Sequence, residues 1–135
     1  MYQATLLWDL CDLVNLAQIS GLECLHARRA LLEEKIREGI KWLSAMSHPD
    51  GNISFFNDAT FGVAPKLDAI VNYAQYLGLQ LHKKETVASV ELLNDTGYCV
   101  VNSGLQAKAI LDVGKVGPDY QPGHAHADVL SFELS

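Results

Sequence analysis

The N-terminal part of the chain repeats apolar residues at helical spacing. In the first stretch they stand three or four positions apart: Leu6, Leu7, Leu10, Leu13, Val14 and Ala17. This spacing places them on one face of a helix, which Gly21 is expected to stop. A second helix is predicted over residues 27–46. Its apolar side consists of Leu32, Ile36, Ile40 and Leu43. The charged residues around it are typical of a solvated face.

A turn and a third helix follow. The run from His48 to Asn52, which includes Pro49 and Gly51, has the composition of a turn. Residues 53–63 contain three phenylalanines and lack a helical period. Pro65 suits the first turn of the third helix, and Gly78 marks its end. The predicted buried face of that helix is formed by Leu67, Ile70, Val71, Ala74 and Leu77.

From Ser89 onward the pattern changes to period two, which is typical of strands. Residues 98–101 and 109–113 are predicted strands, with turn residues at 102–104 between them. After a loop rich in glycine and proline, a last strand is predicted from about residue 126. Its apolar face would hold Leu130, Phe132 and Leu134. The single change of period predicts an α+β protein in two segments, helical over 1–82 and stranded over 83–135.

As a complete domain this pattern is unusual. The chain begins at the threshold of a helix and stops inside a strand. A sheet cut at such a point exposes unpaired edge groups and half of a hydrophobic face. We therefore expect the chain to be truncated at both ends, as an internal piece of a longer protein.

Charge and cysteine content narrow the possible functions. The net charge of −6 makes the chain a poor nucleic-acid binder, because phosphate contacts require clustered Lys and Arg. No window approaches the roughly 18 apolar residues of a membrane helix, and the residues after Met1 do not resemble a secretory signal. The cysteines Cys11, Cys24 and Cys99 lack metal-site spacing and are predicted to be buried free thiols.

The residues of greatest chemical interest lie near the C-terminus. Side chains two apart in an extended chain point the same way, so His124, His126 and Asp128 can project into one site. Imidazole and carboxylate at this spacing suit zinc or a related metal. They equally suit a site in which imidazole meets an anionic substrate. As a metal site the set is incomplete, since no other histidine has matching spacing. The structural alternative is a polar loop bounded by glycine and proline.

Three stretches resemble the heparinase II/III-like family of polysaccharide lyases. The most specific is residues 117–134, which contain Gly123-His124-Ala125-His126-Ala127-Asp128. The second runs over residues 46–65, from the turn that begins Met46-Ser47-His48-Pro49-Asp50-Gly51. The third is the opening Met1-Tyr2, followed by a helix. Together these resemblances cover nearly the whole chain.

The resemblance implies a fold and a reaction. The fold would be the C-terminal helices of an incomplete (α/α) toroid, followed by the first strands of an antiparallel β-sandwich. Family members cleave uronate-containing polysaccharides by β-elimination, so the implied partner is an anionic polysaccharide or oligosaccharide. The implied location of the parent protein is periplasmic or secreted. Two alternatives stay open: a non-catalytic carbohydrate-binding or metal-stabilised scaffold relative, and a small metal-binding protein in its own right.

The resemblance also implies roles for individual residues. Tyr2 matches the family's acid/base tyrosine, and His124 matches the active-site histidine of the β domain. His126 matches a ligand of a structural metal, which is expected to be zinc in the full-length parent. Gln3 departs from the histidine that usually follows the tyrosine. The carboxylate-neutralising Asn-His pair is expected before residue 1 and the other metal ligands after residue 135. The isolated chain is therefore expected to be inactive.

Overall fold

The computed structural model describes residues 1–57, 59–81, 87–104, 107–115 and 130–135. In these ranges, helices precede an antiparallel sheet, which confirms the α+β prediction. The helices are α1 (Tyr2–Ile19), α2 (Glu23–His26), α3 (Arg29–Ala45) and α4 (Leu67–Tyr76). The strands are β1 (Ser89–Leu93), β2 (Tyr98–Asn102), β3 (Lys108–Asp112) and β4 (Phe132–Leu134). The three longer helices lie within a few residues of their predicted positions, while the short α2 was not predicted.

The chain divides into two compact units. The helical unit consists of Met1–Ala45 and Gly62–Lys83, and the sheet unit of Met46–Phe61 and Lys84–Ser135. Residues 46–61 thus group with strands that follow them much later in the sequence. The predicted division of the chain into segments 1–82 and 83–135 stays a prediction about domain organisation.

In the helical unit, α1 buries a narrow stripe of residues. These are Ala4, Leu7, Cys11, Val14 and Ala17. Leu6 and Leu13, which the sequence placed on the same face, are exposed, because the stripe in contact with other helices is narrower than the apolar pattern. The backbones of α1 and α3 approach closely at Gly39, where a Cβ atom would lie 2.4 Å from Leu7 Cδ2.

A tyrosine joins α4 to α1. The Tyr73 hydroxyl donates a hydrogen bond to Asp12 Oδ1 at 2.7 Å and accepts one from Asn15 Nδ2 at 3.2 Å. The ring of Trp8 packs on that of Tyr73, with 5.0 Å between centroids. Burial raises the pKa of Tyr73, and the bond to Asp12 raises it further. Trp8 therefore has a packing role within the helical unit.

The sheet is antiparallel, in the order β1-β2-β3-β4. Val100 of β2 pairs with Ile110 of β3, and Ile110 pairs with Glu133 of β4. Leu130, predicted to share a strand face, instead lies in a turn with φ 58° before β4 begins at Phe132. Positive φ is incompatible with strand backbone, so the prediction is wrong at this residue. Residues 126–129 of that predicted strand lie outside the described ranges.

The two faces of the sheet differ in polarity and in cover. We call the face of Val100 and Ile110, both fully buried, the inner face. It also carries the charged residues of β3 and β4, with Lys108 9% and Asp112 6% exposed. The outer face is apolar and open to solvent. Its exposed members are Val90 at 72%, Leu92 at 54%, Phe132 at 63% and Leu134 at 72%.

The close approach at Gly39 gives the first prediction. Gly39→Ala should lower the free energy of unfolding by about 1–3 kcal/mol, because the added methyl group overlaps the buried Leu7. The substitution should destabilise even though alanine is the better helix former by roughly 1 kcal/mol. Urea unfolding followed by circular dichroism measures the difference.

Gly21→Ala is the matched control for this experiment. A Cβ at Gly21 meets nothing within 4 Å, so this variant should be at least as stable as the wild type. Equal stability of the Gly39→Ala and wild-type chains would contradict the described contact between α1 and α3.

Candidate functional site

Residues 46–61, here called the covering segment, lie on the inner face of the sheet. Their first part forms a tight turn, in which the His48 amide donates to the Asn52 carbonyl at 2.8 Å and Ser54 donates to Met46 at 3.0 Å. Gly51 adopts φ +81°, which glycine tolerates without steric cost. The Asp50 carboxylate accepts two hydrogen bonds from Asn52, which lower the pKa of Asp50. The predicted turn is therefore confirmed.

Three strands anchor the covering segment. In β3, Lys108 Nζ donates to the carbonyl of Ser47 at 2.6 Å, which gives a buried ammonium a polar partner. In β4, Glu133 contacts both His48 and Phe55. In β2, Tyr98 contacts Phe56 and Asn57. The covering segment thus crosses the sheet and is attached to β2, β3 and β4.

Glu133 makes the central contact. Its Oε2 lies 2.5 Å from His48 Nε2, and its Oε1 accepts a hydrogen bond from the Phe55 amide at 2.5 Å. The other ring nitrogen of His48 lies 2.7 Å from Ser135 Oγ. The side chains of His48 and Glu133 are 10% and 25% exposed, so water screens the pair weakly. The partners stand 78 and 85 residues apart in sequence, and periodicity carries no signal of their contact.

Tyr98 marks one end of the sheet. It pairs with Asp112 at the end of β3, and the Asp112 amide donates to the Ser131 carbonyl at 2.8 Å. The described chain therefore leaves the sheet after β3 and re-enters it before β4 at this end, here called the loop end. Gly97, at φ +74°, packs against Gly114, which follows β3. A Cβ on Gly97 would lie 2.6 Å from Gly114 Cα.

Aromatic and amide groups of the covering segment gather at the loop end. The ring of Phe56 packs on Tyr98 at 5.1 Å between centroids. Asn57 Nδ2 donates to the Tyr98 hydroxyl at 3.0 Å. Asn57 has φ 54°, in the left-handed region that asparagine tolerates better than most residues. No pattern in the sequence predicts that Asn57 lies beside Tyr98, although both are residue types that bind polar ligands.

Of the predicted site residues, Tyr2 lies within the described ranges. Tyr2 is the first residue of α1 and is 70% exposed, in the helical unit. His124, His126 and Asp128 lie outside the described residues. The roles expected of Tyr2, His124 and His126 therefore stay predictions. Within the described ranges, no three His, Cys, Asp or Glu side chains are placed to hold a metal ion.

The cysteines are free thiols in different environments. Cys11 is buried, and burial together with the nearby Asp12 raises the pKa of its thiol to about 11. Cys99 is half-buried. Cys24 is exposed, so the prediction that all three are buried is wrong there, because α2 buries none of its residues. At neutral pH the Cys11 thiol is protonated and unsuited to nucleophilic chemistry.

Comparison with known proteins gives one match. Residues 85–135 match the model of the family described as heparinase II/III-like, C-terminal. Neither the curated proteins nor the solved structures gave a significant match. The match confirms the family resemblance for the strand segment, including the stretch with His124 and His126. In addition, none of the described helices is long and apolar enough to cross a membrane.

The Glu133 contacts predict how firmly the covering segment is held. Glu133→Ala leaves the Phe55 amide and His48 without their acceptor, a loss of about 2–3 kcal/mol. Limited proteolysis with chymotrypsin should then cut at Phe55 or Phe56 roughly ten- to a hundredfold faster, as local opening becomes easier. Glu133→Gln keeps one acceptor oxygen and should show a smaller increase.

Asp95→Ala provides the control, since Asp95 is an exposed carboxylate in the turn between β1 and β2. Its cleavage rate should equal that of the wild type. Unchanged cleavage of the Glu133→Ala chain would mean that the carboxylate does not secure the segment.

Proposed function

Because residues 85–135 match the family described as heparinase II/III-like, C-terminal, we propose that this chain is part of a polysaccharide lyase. The enzyme would cleave a uronate-containing polysaccharide by β-elimination. The family match is the observation that carries the proposal. The polar loop end of the sheet supports it, since a segment with two histidines is attached there.

The reaction requires three groups. One neutralises the uronate carboxylate, which stabilises the carbanion-like transition state. A base removes the C5 proton, and an acid protonates the leaving oxygen. We assign acid/base chemistry to Tyr2 and a substrate-facing role to His124. The neutralising group would come from residues outside this chain, so the isolated chain should be inactive.

His126 is assigned to a structural zinc ion in the complete protein. A histidine ligand is neutral and is usually oriented by a partner on its second ring nitrogen. His124 must instead keep a nitrogen available to the substrate. The two side chains would therefore serve different purposes, which requires a bend between them that Gly123 permits. Zinc would contribute stability to the β domain through its bonds to the ligands.

The proposed architecture is a toroid end followed by the start of a β-sandwich. Support for the sandwich comes from the outer face, where four large apolar side chains are exposed. In a sandwich, the apolar face of one sheet is covered by a second sheet about 10 Å away. Exposed Leu6 and Leu13 on α1 similarly suit contact with further helices. A periplasmic or secreted location stays a prediction from the family resemblance.

One residue favours the alternative of a non-catalytic carbohydrate-binding relative. Gln3 stands beside Tyr2 where the resemblance leads us to expect a histidine. An amide donates and accepts hydrogen bonds but does not titrate near neutral pH. A protein that binds the polysaccharide without cleaving it would fit that substitution.

The test uses the protein encoded by the complete reading frame that contains this chain. It should form the unsaturated product, seen as absorbance of the new C4–C5 double bond, on at least one of heparin, heparan sulfate, alginate and hyaluronan. His124→Ala should lower turnover about 10²-fold, the lower range for acid–base groups, with zinc content and melting temperature nearly unchanged. His126→Ala should release zinc and lower the melting temperature.

His26→Ala, which changes an exposed histidine of the helical unit, is the control and should alter none of these quantities. Binding without cleavage by the complete protein would favour the non-catalytic alternative. Equal zinc loss in both site variants, or full activity of His124→Ala, would contradict the assigned roles. Strong activity of the 135-residue chain alone would contradict its being an incomplete part of the enzyme.

A further inference from the structure

Two phenylalanine rings are exposed together on the covering segment. Phe55 and Phe61 are 49% and 56% exposed, and their rings meet nearly edge to face with 4.4 Å between centroids. Phe56, between them in sequence, packs instead on Tyr98. A single exposed aromatic residue is ordinary, but two in mutual contact form a small apolar platform.

The backbone under this platform is fixed at two points. The Phe55 amide donates to Glu133 Oε1, and the Asn57 side chain donates to the Tyr98 hydroxyl. Asn57 adopts φ 54°, in the left-handed region that asparagine tolerates better than most residues. The platform is therefore held in place before any ligand arrives.

Asn57, which lies between Phe55 and Phe61 in the sequence, brings uncharged polar groups to the same part of the covering segment. The Asn57 side-chain oxygen accepts no hydrogen bond from the described part of the chain. It can accept one from a ligand hydroxyl, since the amide presents two acceptor positions on that oxygen. The Tyr98 hydroxyl lies 3.0 Å from the same amide. An apolar surface with a few placed hydrogen-bonding groups is the usual composition of a small-molecule site.

The position of these groups narrows the choice of ligand. Tyr98 stands at the loop end, where the segment with His124 and His126 is attached. A saccharide bound at Asn57 and Tyr98 would thus lie at the same end of the sheet as that segment's attachment points. A protein partner is a poorer fit, because a stable interface buries about 800 Å² on each side and two rings supply only a small part of this.

We propose that Phe55, Phe61, Asn57 and Tyr98 form a sugar-binding subsite. The apolar C–H face of one pyranose ring lies on the phenylalanine platform, and a sugar hydroxyl donates to the Asn57 side-chain oxygen. The subsite recognises the uncharged part of the sugar, since its side chains are two phenyl rings, an amide and a phenol. The identity of the ligand as part of a uronate polymer rests on the proposed function.

Binding is measured in the complete protein carrying His124→Ala, so that the oligosaccharide is not consumed. Calorimetric titration uses tetrasaccharides of heparan sulfate, alginate and hyaluronan. Phe61→Ala should raise Kd about tenfold, the value of one aromatic contact. Phe61→Tyr, which keeps the ring, should restore binding. Tyr76→Ala is the control, because it removes an exposed aromatic ring from the helical unit.

Asn57→Gly separates the backbone from the amide. Glycine adopts positive φ freely, so the turn should be kept, while the side-chain oxygen and the hydrogen bond to Tyr98 are both lost. We expect Kd to rise about fivefold, as for one neutral hydrogen bond, with a small fall in melting temperature from the lost bond to Tyr98. Weaker binding that tracks a lower melting temperature in every variant would overturn the subsite.

The outcomes distinguish the subsite from the lyase reaction. If the complete protein cleaves polysaccharide but Phe61→Ala leaves Kd and KM unchanged, the subsite is wrong and the lyase stands. If it binds without cleaving and Phe61→Ala weakens binding, the lyase is wrong and the subsite stands. Unchanged saccharide binding together with a weakened protein oligomer would show that the platform is a protein interface. Failure to bind any of the three saccharides would overturn both proposals.

Discussion

The Glu133 carboxylate attaches the covering segment to the sheet, and the rest of the sheet unit depends on its contacts. One oxygen lies beside His48, and the other accepts a hydrogen bond from the Phe55 amide. A single side chain of β4 thus holds the covering segment at two positions. Charge-assisted hydrogen bonds in a weakly screened site are stronger than neutral ones at the surface. Because the Phe55 backbone is held here, Phe56 can reach Tyr98 and Asn57 can reach its hydroxyl.

The same contact explains the unequal faces of the sheet. Lys108, Asp112 and Glu133 all lie on the inner face, where a purely apolar cover would leave charged groups without partners. The covering segment supplies backbone carbonyl and amide groups and the His48 imidazole, which are hydrogen-bonding partners for Lys108 and Glu133. The outer face differs, because its exposed side chains are apolar and their burial under another apolar surface would be favourable. The proposed second sheet of a sandwich would provide that surface.

Local patterns predicted the elements well and their contacts poorly. The stripe of Ile36, Ile40 and Leu43 and the stop at Gly78 follow from helical spacing and glycine chemistry, and both were correctly predicted. In contrast, the contact of His48 with Glu133 joins positions 85 residues apart, for which spacing gives no signal.

Similar limits apply to the faces of the elements and to the site. Alternation put Phe132 and Leu134 on one face, but could not show that this is the open one. Leu130 fits the apolar alternation of β4 and nevertheless occupies a turn, so alternation alone did not identify where the strand begins. For the site, residue types in the sequence identified His124 and His126 as candidates, and the family match supports that stretch. The contact between Asn57 and Tyr98 depends on how the covering segment folds, so it could not be predicted from the sequence.

Amide hydrogen exchange at Phe55 tests most directly whether the covering segment belongs to the sheet unit. Residue-resolved exchange should give the Phe55 amide the same opening free energy as the amides of β2 and β3, because all are released when the sheet opens. The amides of α3, which precede the segment in sequence, should exchange with a different free energy. Exchange of Phe55 at the rate of an unprotected amide, or together with α3, would contradict this assignment.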